Sequence, residues 1–209
     1  LTFYNNDDSP TASRALKLTV SDGDGETSLP QTVVVAVTLV NDAPSGTSKT
    51  VTLMEDGSYT LTAADFGFSD TDGNALQAVM ITSLPGAGEL RLNDSGVRAG
   101  AYVQASDIIA GNLVFTPAAN ANGTGYASFD FLVKDNGGAA NGGIDLDATP
   151  NTLTFNVTAV NDAPTLSGLL TAKTVLENAS ASLLDSDVIF ADIDSSNLNG
   201  GVLRVSGLD

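Results

Sequence analysis

The pentapeptide Val-Asn-Asp-Ala-Pro occurs twice, at 40–44 and at 160–164. A repeat at fixed spacing limits the fold more than composition does, because each copy marks one supersecondary unit set beside the next. The flanking segments correspond too. "LTFYNNDDSPTASRALKLTVSD" (1–22) and "LVFTPAANANGTGYASFDFLVKD" (113–135) both run from Leu-x-Phe into an apolar alternation ending in Val-x-Asp. A Gly-rich loop follows each, then "VVVAVTLVNDAP" or "LTFNVTAVNDAP". Past the second linker, "TVLENASASLLDSDVIFADIDSSN" parallels "VTLMEDGSYTLTAADFGFSDTDGN", which starts at 51. The chain therefore divides into the last part of one repeat (1–40), a complete repeat (41–160) and the start of another (161–209).

Within the complete repeat the period is two. "SFDFLVKD" places Phe129, Phe131 and Val133 on one face, and "TLTFNVTAV" does the same with Leu153, Phe155, Val157 and Ala159. Polar residues fill the other face, the pattern of half-buried strands. Strands are predicted near 49–54, 58–63, 76–83, 88–93, 112–116, 126–134 and 152–160, separated by turn residues such as "EDG" (55–57) and "PGAG" (85–88). Seven short strands without helical periodicity predict an all-β fold of tandem seven-stranded antiparallel Greek-key β-sandwiches, immunoglobulin-like, with partial repeats at both ends.

The charge balance is 8 Lys+Arg against 25 Asp+Glu, a net −17, with 21 of the acids Asp. Asp is a poor helix-interior residue and a good turn residue, so the acids belong in loops. Such a chain will not seek phosphate backbones or an anionic membrane surface. Cys, His and Trp are absent, which rules out disulfides, Cys/His zinc sites and the triads that need His. The longest apolar run, "VVVAVTLV", is too short to span a bilayer. The opening on Leu1 without a signal peptide reads as a piece of something longer.

When strands reverse along a sandwich, loops alternate between its two ends. Asp70 and Asp72 ("SDTDG") and Asp135 ("VKDNGG") then fall at the end where the linker residues Asn41 and Asp42 enter. Glu55 falls at the other end, near the exit linker Asn161–Asp162, where the next repeat brings Asp192 and Asp194 ("ADIDSS"). Oxygen ligands gathered from separate stretches suit calcium, which takes six to eight of them, better than magnesium. Neither "DTDGNAL" nor "DIDSSNL" is an EF-hand loop. Pro44 and Pro164 hold Ala43 and Ala163 extended and leave the linkers little slack.

These residues resemble the cadherin repeat, in the bacterial, VCBS-type version found in tandem in large secreted surface adhesins. "LVNDAP" and "AVNDAP" are similar to its linker pattern Asp-x-Asn-Asp-x-Ala-Pro. Glu55 and Glu177 stand for its base Glu, Asp70/Asp72 and Asp192/Asp194 for its Asp-x-Asp, and Asp135 for its Ala-x-Asp. Where an Asp-Arg-Glu motif belongs, residues 119–125 offer only Asn120 and Asn122, which implies one or two ions per junction.

The resemblance implies a calcium-binding, calcium-rigidified adhesin segment, secreted or on the bacterial cell surface, whose partners are neighbouring repeats, homophilic contacts or extracellular polysaccharide. The alternative is a non-catalytic polysaccharide-binding module, with Tyr102 and Tyr126 as stacking candidates. Enzymatic activity is not expected: paired carboxylates can hydrolyse glycosides, but these lie at domain ends with few aromatics. Asp145 and Asp147 read as a solvated loop. The partial repeats would each expose an apolar face that another segment or chain could complete.

Overall fold

The computed structural model describes residues 2–7, 10–170, 172–178, 180–183, 185–195, 200–204 and 206. Ala179, Leu184, Ser196 and Asn197 of the quoted third-repeat stretch lie outside them. The chain divides into two compact units, 1–158 and 159–209.

The first unit opens with a hairpin of β1 (Ser13–Leu18) and β2 (Gln31–Ala36). After the linker come β3 (Lys49–Met54), β4 (Tyr59–Thr60), β5 (Leu76–Ile81), β6 (Glu89–Leu92), β7 (Ser95–Gly96) and β8 (Tyr102–Gln104). A short helix α1 (Ala105–Ile109), β9 (Leu113–Thr116), β10 (Gly123–Asp135) and β11 (Asn151–Thr158) complete it. One sheet is ordered β3-β11-β10-β5-β8 and the other β4-β9-β6-β7. The predicted strands recur with shifted ends, and β7, β8 and α1 fill the stretch after 93 that carried no periodic signal.

Two expectations are corrected. The sandwich is not wholly antiparallel, since β3 pairs parallel with β11, Val51 opposite Phe155. The reason lies in the count of reversals: the first and last of seven alternating strands point the same way, so as neighbours they must pair parallel. The second strand is shorter than 58–63, because Ala63–Phe66 coils into a 3-10 turn. There Thr62 Oγ1 and Thr62 N–H both donate to Asp65 Oδ2, at 2.9 and 2.8 Å, a capping arrangement that competes with strand pairing.

The two sheets close on Phe66, Phe115, Phe129, Phe131, Leu153 and Phe155, all buried. Phe115 stacks on Phe155 with ring centroids 3.7 Å apart, and Tyr59 meets Phe155 edge-on at 6.3 Å. Phe66 meets Phe131 edge-on at 5.0 Å. Such pairs add directional contact to the burial itself.

One acid sits inside this shell. Asp65 is only 1% exposed, yet it accepts from Lys49 Nζ at 2.7 Å and from the Tyr59 hydroxyl at 3.2 Å besides Thr62. Burial by itself raises the Asp65 carboxyl. The bonds from Lys49 and Thr62 and the charge of Lys49 outweigh it and hold the carboxyl below its ordinary value. Burial, followed by the Asp65 charge, pushes the Tyr59 phenol up.

The β1–β2 hairpin reproduces β10–β11 in register. By the sequence correspondence, Leu16 opposite Val33 takes the place of Phe129 opposite Leu153, and Leu18 opposite Gln31 that of Phe131 opposite Asn151. Phe129, Phe131 and Leu153 are buried, whereas Val33 is exposed.

In the second unit β12 (Thr165–Ser167) pairs antiparallel with β13 (Ile189–Ala191). Thr165 lies opposite Ala191, and the equivalent residues of the first unit, Ser45 and Ser69, form an isolated antiparallel bridge. Among the described residues no helix is long and apolar enough to cross a membrane.

Phe155→Ala should cost about 3–5 kcal/mol in urea unfolding, because Tyr59, Phe115 and Phe129 lose their aromatic partner. Asp65→Asn should lower stability at pH 7 by about 2 kcal/mol. A depressed folded pKa stabilises above the unfolded value, near pH 4, and the gain is lost as pH falls through the folded value. The gap between variant and wild type should therefore narrow below about pH 4; a gap independent of pH would contradict this account.

Candidate functional site

Period-two alternation on β10 does more than bury Phe129, Phe131 and Val133. It carries Asp135, two residues further on, inward as well, and Asp135 is 0% exposed at the strand end. A register shift between Lys134 and Asp135 sets Asp135 opposite Leu76, the first residue of β5. The loops following β10 and preceding β5 are thereby brought side by side. They clasp each other: Ala75 N–H donates to Asn136 Oδ1 at 2.9 Å, and Asn136 N–H to Ala75 O at 3.1 Å.

The linker lies across this clasp. Asn41 Nδ2 donates to Asp135 Oδ1 and Oδ2 at 3.1 and 3.2 Å and to Ile144 O at 2.6 Å. Asn41 Oδ1 accepts from Asn74 Nδ2. Asp42 N–H donates to Asp72 Oδ2 at 2.7 Å. Asp70 Oδ1 accepts from Asn74 N–H at 2.8 Å. Asn41, Asp42, Asp70, Asp72 and Asp135 thus come together at one end of the sandwich, as their loops require. Beside them opens a groove of about 330 Å³ lined in part by Asn41, Asp72, Asn74 and Gly137.

Close approach needs glycine here. A Cβ on Gly137 would stand 1.7 Å from Asn41 Oδ1 and 2.6 Å from Asn74 Nδ2, and one on Gly143 would stand 3.0 Å from Asn41 N. Sequence alone does not single out Asn74, Asn136, Gly137, Gly143 or the Ile144 carbonyl. The signal available was the Asn-Gly chemistry inside "DTDGNAL" and "VKDNGG", which marks tight loops but not their partner.

Glu55 lies in the turn after β3, as the "EDG" signal predicts, and is 2% exposed there. Glu55 N–H donates to Thr158 O at 2.9 Å, and Glu55 Oε2 accepts from Asn122 Nδ2 at 3.0 Å. Asn122 therefore reaches the base Glu from the stretch where the resemblance expected acids. In the second unit Asp162 N–H donates to Asp194 Oδ2, repeating the Asp42–Asp72 bond. Asp192 Oδ1 accepts from Asp194 and Ser195 N–H at 2.9 and 2.8 Å, and Asn161 Nδ2 donates to Asp162 O at 2.9 Å.

The solvated-loop reading of Asp145 and Asp147 is overturned. Asp147 is buried and accepts from Gly46 N–H at 2.9 Å, Thr149 N–H at 3.0 Å and Asn151 Nδ2 at 2.9 Å. It ties the chain after the linker to the start of β11, a contact between segments far apart in sequence. Asp145 pairs with Lys134, and its carbonyl accepts Asp135 N–H at 3.0 Å. Of the two tyrosines, Tyr102 is 47% exposed on the edge strand β8, whereas the Tyr126 hydroxyl accepts from Ala118 N–H at 3.1 Å and its ring packs on the core.

Among the described residues no three carboxylates gather closely enough to hold a metal ion by themselves. The donor set around the linker is mixed instead: carboxylates of Asp42, Asp70, Asp72 and Asp135, amides of Asn41 and Asn74, and the Ile144 carbonyl. Asp70 Oδ2 is buried without a hydrogen-bond partner. A buried carboxylate oxygen lacking a donor carries a large desolvation cost, which a cation offsets. An all-oxygen set with an orphaned carboxylate oxygen fits a hard cation such as calcium.

A family model for the cadherin-like domain matches residues 40–149. The match begins at the linker and spans Asn41, Asp42, Glu55, Asp70, Asp72 and Asp135. No curated protein and no solved structure gives a match.

Asp147→Ala should cost about 2–3 kcal/mol, since it strips three donors of a charged acceptor. Asp145→Ala, which removes a partly exposed ion pair, should cost under about 1 kcal/mol. Equal losses in urea unfolding would contradict the assignment of Asp147 as the anchor.

Proposed function

The chain belongs to the cadherin-like domain family of adhesion-type extracellular modules, and from that premise we propose that it is a calcium-binding repeat segment of a bacterial surface adhesin. The observation that carries the reading is the buried, partnerless Asp70 Oδ2 set among the linker and loop oxygens. Asn41, Asp42, Asp70, Asp72 and Asp135 hold the ion at the entry linker. Asn161, Asp162, Asp192 and Asp194 form the same kind of set in the second unit, where the linker-to-carboxylate bond recurs. Glu55, buried beside Asn122 at the far end of the sandwich, is a further ligand.

The mechanism is electrostatic. Calcium, when bound, neutralises carboxylates in a chain of net −17 that has few cations to spare. The residues themselves do the positioning: Asp72 seats the Asp42 backbone, Asn74 orients Asp70, and the β10 register delivers Asp135. Binding to the folded state alone then raises its stability through linkage.

A tandem arrangement, with 1–40 ending one repeat, 41–160 forming the next and 161–209 opening another, is supported by the shared register of β1–β2 and β10–β11. It is supported also by the Thr165–Ala191 pairing, which repeats Ser45–Ser69. In this arrangement the segment is a secreted or surface-held rod whose partners are its neighbouring repeats. Polysaccharide binding is a second reading, favoured by the exposed ring of Tyr102; loss of a glycan-array signal on Tyr102→Ala would identify it.

At a calcium concentration about 100-fold above Kd, one site adds about 2.7 kcal/mol, which corresponds to roughly 5–10 °C in Tm for a chain of this size. Asp70→Asn should abolish that gain and leave the metal-free protein no less stable, because it removes an unsatisfied charge. Melting curves and small-angle scattering in millimolar calcium and in chelator measure both effects. Identical curves and profiles in the two conditions would sink the calcium reading.

A further inference from the structure

The loop after β10 poses a charge problem that exists with or without an ion. Asp135 is 0% exposed, and both its oxygens face the same space as the Ile144 carbonyl. Three acceptor oxygens turned toward one point repel one another unless a donor or a cation stands between them. Gly137 N–H donates to Asp135 Oδ1 at 2.7 Å, and the group within 3.2 Å of all three oxygens is the carboxamide nitrogen of Asn41. A carboxamide has an acceptor as well as its two donors, and here the acceptor is held from behind by Asn74 Nδ2. The orientation of the amide is thus set from both sides. The Asn41 backbone adds a further tie, its carbonyl accepting Ile144 N–H at 2.9 Å. Gly137 and Gly143 leave the space that this seating needs.

We propose that Asn41 is a cation-independent latch, its amide nitrogen standing in for positive charge among the oxygens of Asp135 and Ile144, so that the linker stays fastened to the loop after β10 when no ion is bound. The proposal deepens the calcium reading, since it assigns Asn41 a positioning role toward Asp135, but the latch itself does not depend on that reading. It divides the linker's attachment into two halves. The Asp42–Asp70–Asp72 half contains the partnerless carboxylate oxygen and responds to a cation. The Asn41–Asp135 half is held by an uncharged donor while no ion is bound, and its oxygens join the ligand set when one is. It follows that residue identity at 41 is sharply restricted: an aspartate there has the same shape but sets a third carboxylate oxygen against Asp135 where two N–H donors belong.

The test is hydrogen exchange at the Ile144 amide in the full 209-residue chain, in chelator and then in millimolar calcium, with a calcium isotherm on the same samples. In chelator the wild type should exchange about tenfold more slowly than Asn41→Ala. Asn41→Asp should exchange faster than Asn41→Ala, and calcium should restore its protection. Gly137→Ala displaces the amide by contact while the residue keeps the backbone N–H it donates to Asp135, and should lose the same protection in chelator. Circular dichroism identifies variants that keep the β fold. Equal exchange in chelator for the wild type and every folded variant would overturn the latch. An isotherm without calcium binding, with protection still dependent on Asn41 in chelator, would overturn the calcium reading and leave the latch standing.

Discussion

Burying carboxylates in a chain with 25 acids and 8 basic residues is the constraint on which the rest of this structure depends. Two solutions occur in one domain. Asp65 is neutralised by a lysine and ringed by hydroxyl and backbone donors. The acids at the linker are held by backbone N–H groups and asparagine amides. The second solution leaves charge uncompensated, which marks that end of the sandwich as the place where a cation has something to gain.

The architecture makes this arrangement cheap to specify. A strand of period two that buries Ala127, Phe129, Phe131 and Val133 presents its next inward position at the strand end without additional instruction, and in β10 that position is Asp135. The parallel pairing of β3 with β11 runs the first strand beside the last. It also leaves the residues before β3 next to those before β11, where Asp147 joins Gly46 to Asn151. Fold and site are therefore consequences of the same register.

Duplication gives the site its meaning. The bond from a linker N–H to the second carboxylate of an Asp-x-Asp pair occurs at Asp42–Asp72 and again at Asp162–Asp194. A polar linker alone has no reason to reproduce a specific contact 120 residues on. A joint used twice in one chain does.

Residue pattern alone determined the existence of the seven periodic strands, though not their ends, the meeting of Asn41, Asp42, Asp70, Asp72 and Asp135, and the correspondence between the two linkers. Each follows from local periodicity and from counting reversals, both properties of the chain. Only the tertiary structure decided which polar residues are buried and what they touch. Asp147 reads as solvated and is buried, and Glu55, which does sit in its predicted turn, is enclosed there. Asn74, Asn122 and Gly137 carried no sign of their partners. The physical reason is that hydrogen-bond satisfaction depends on contacts between segments far apart in sequence, and nothing local in composition records the distance at which two loops meet.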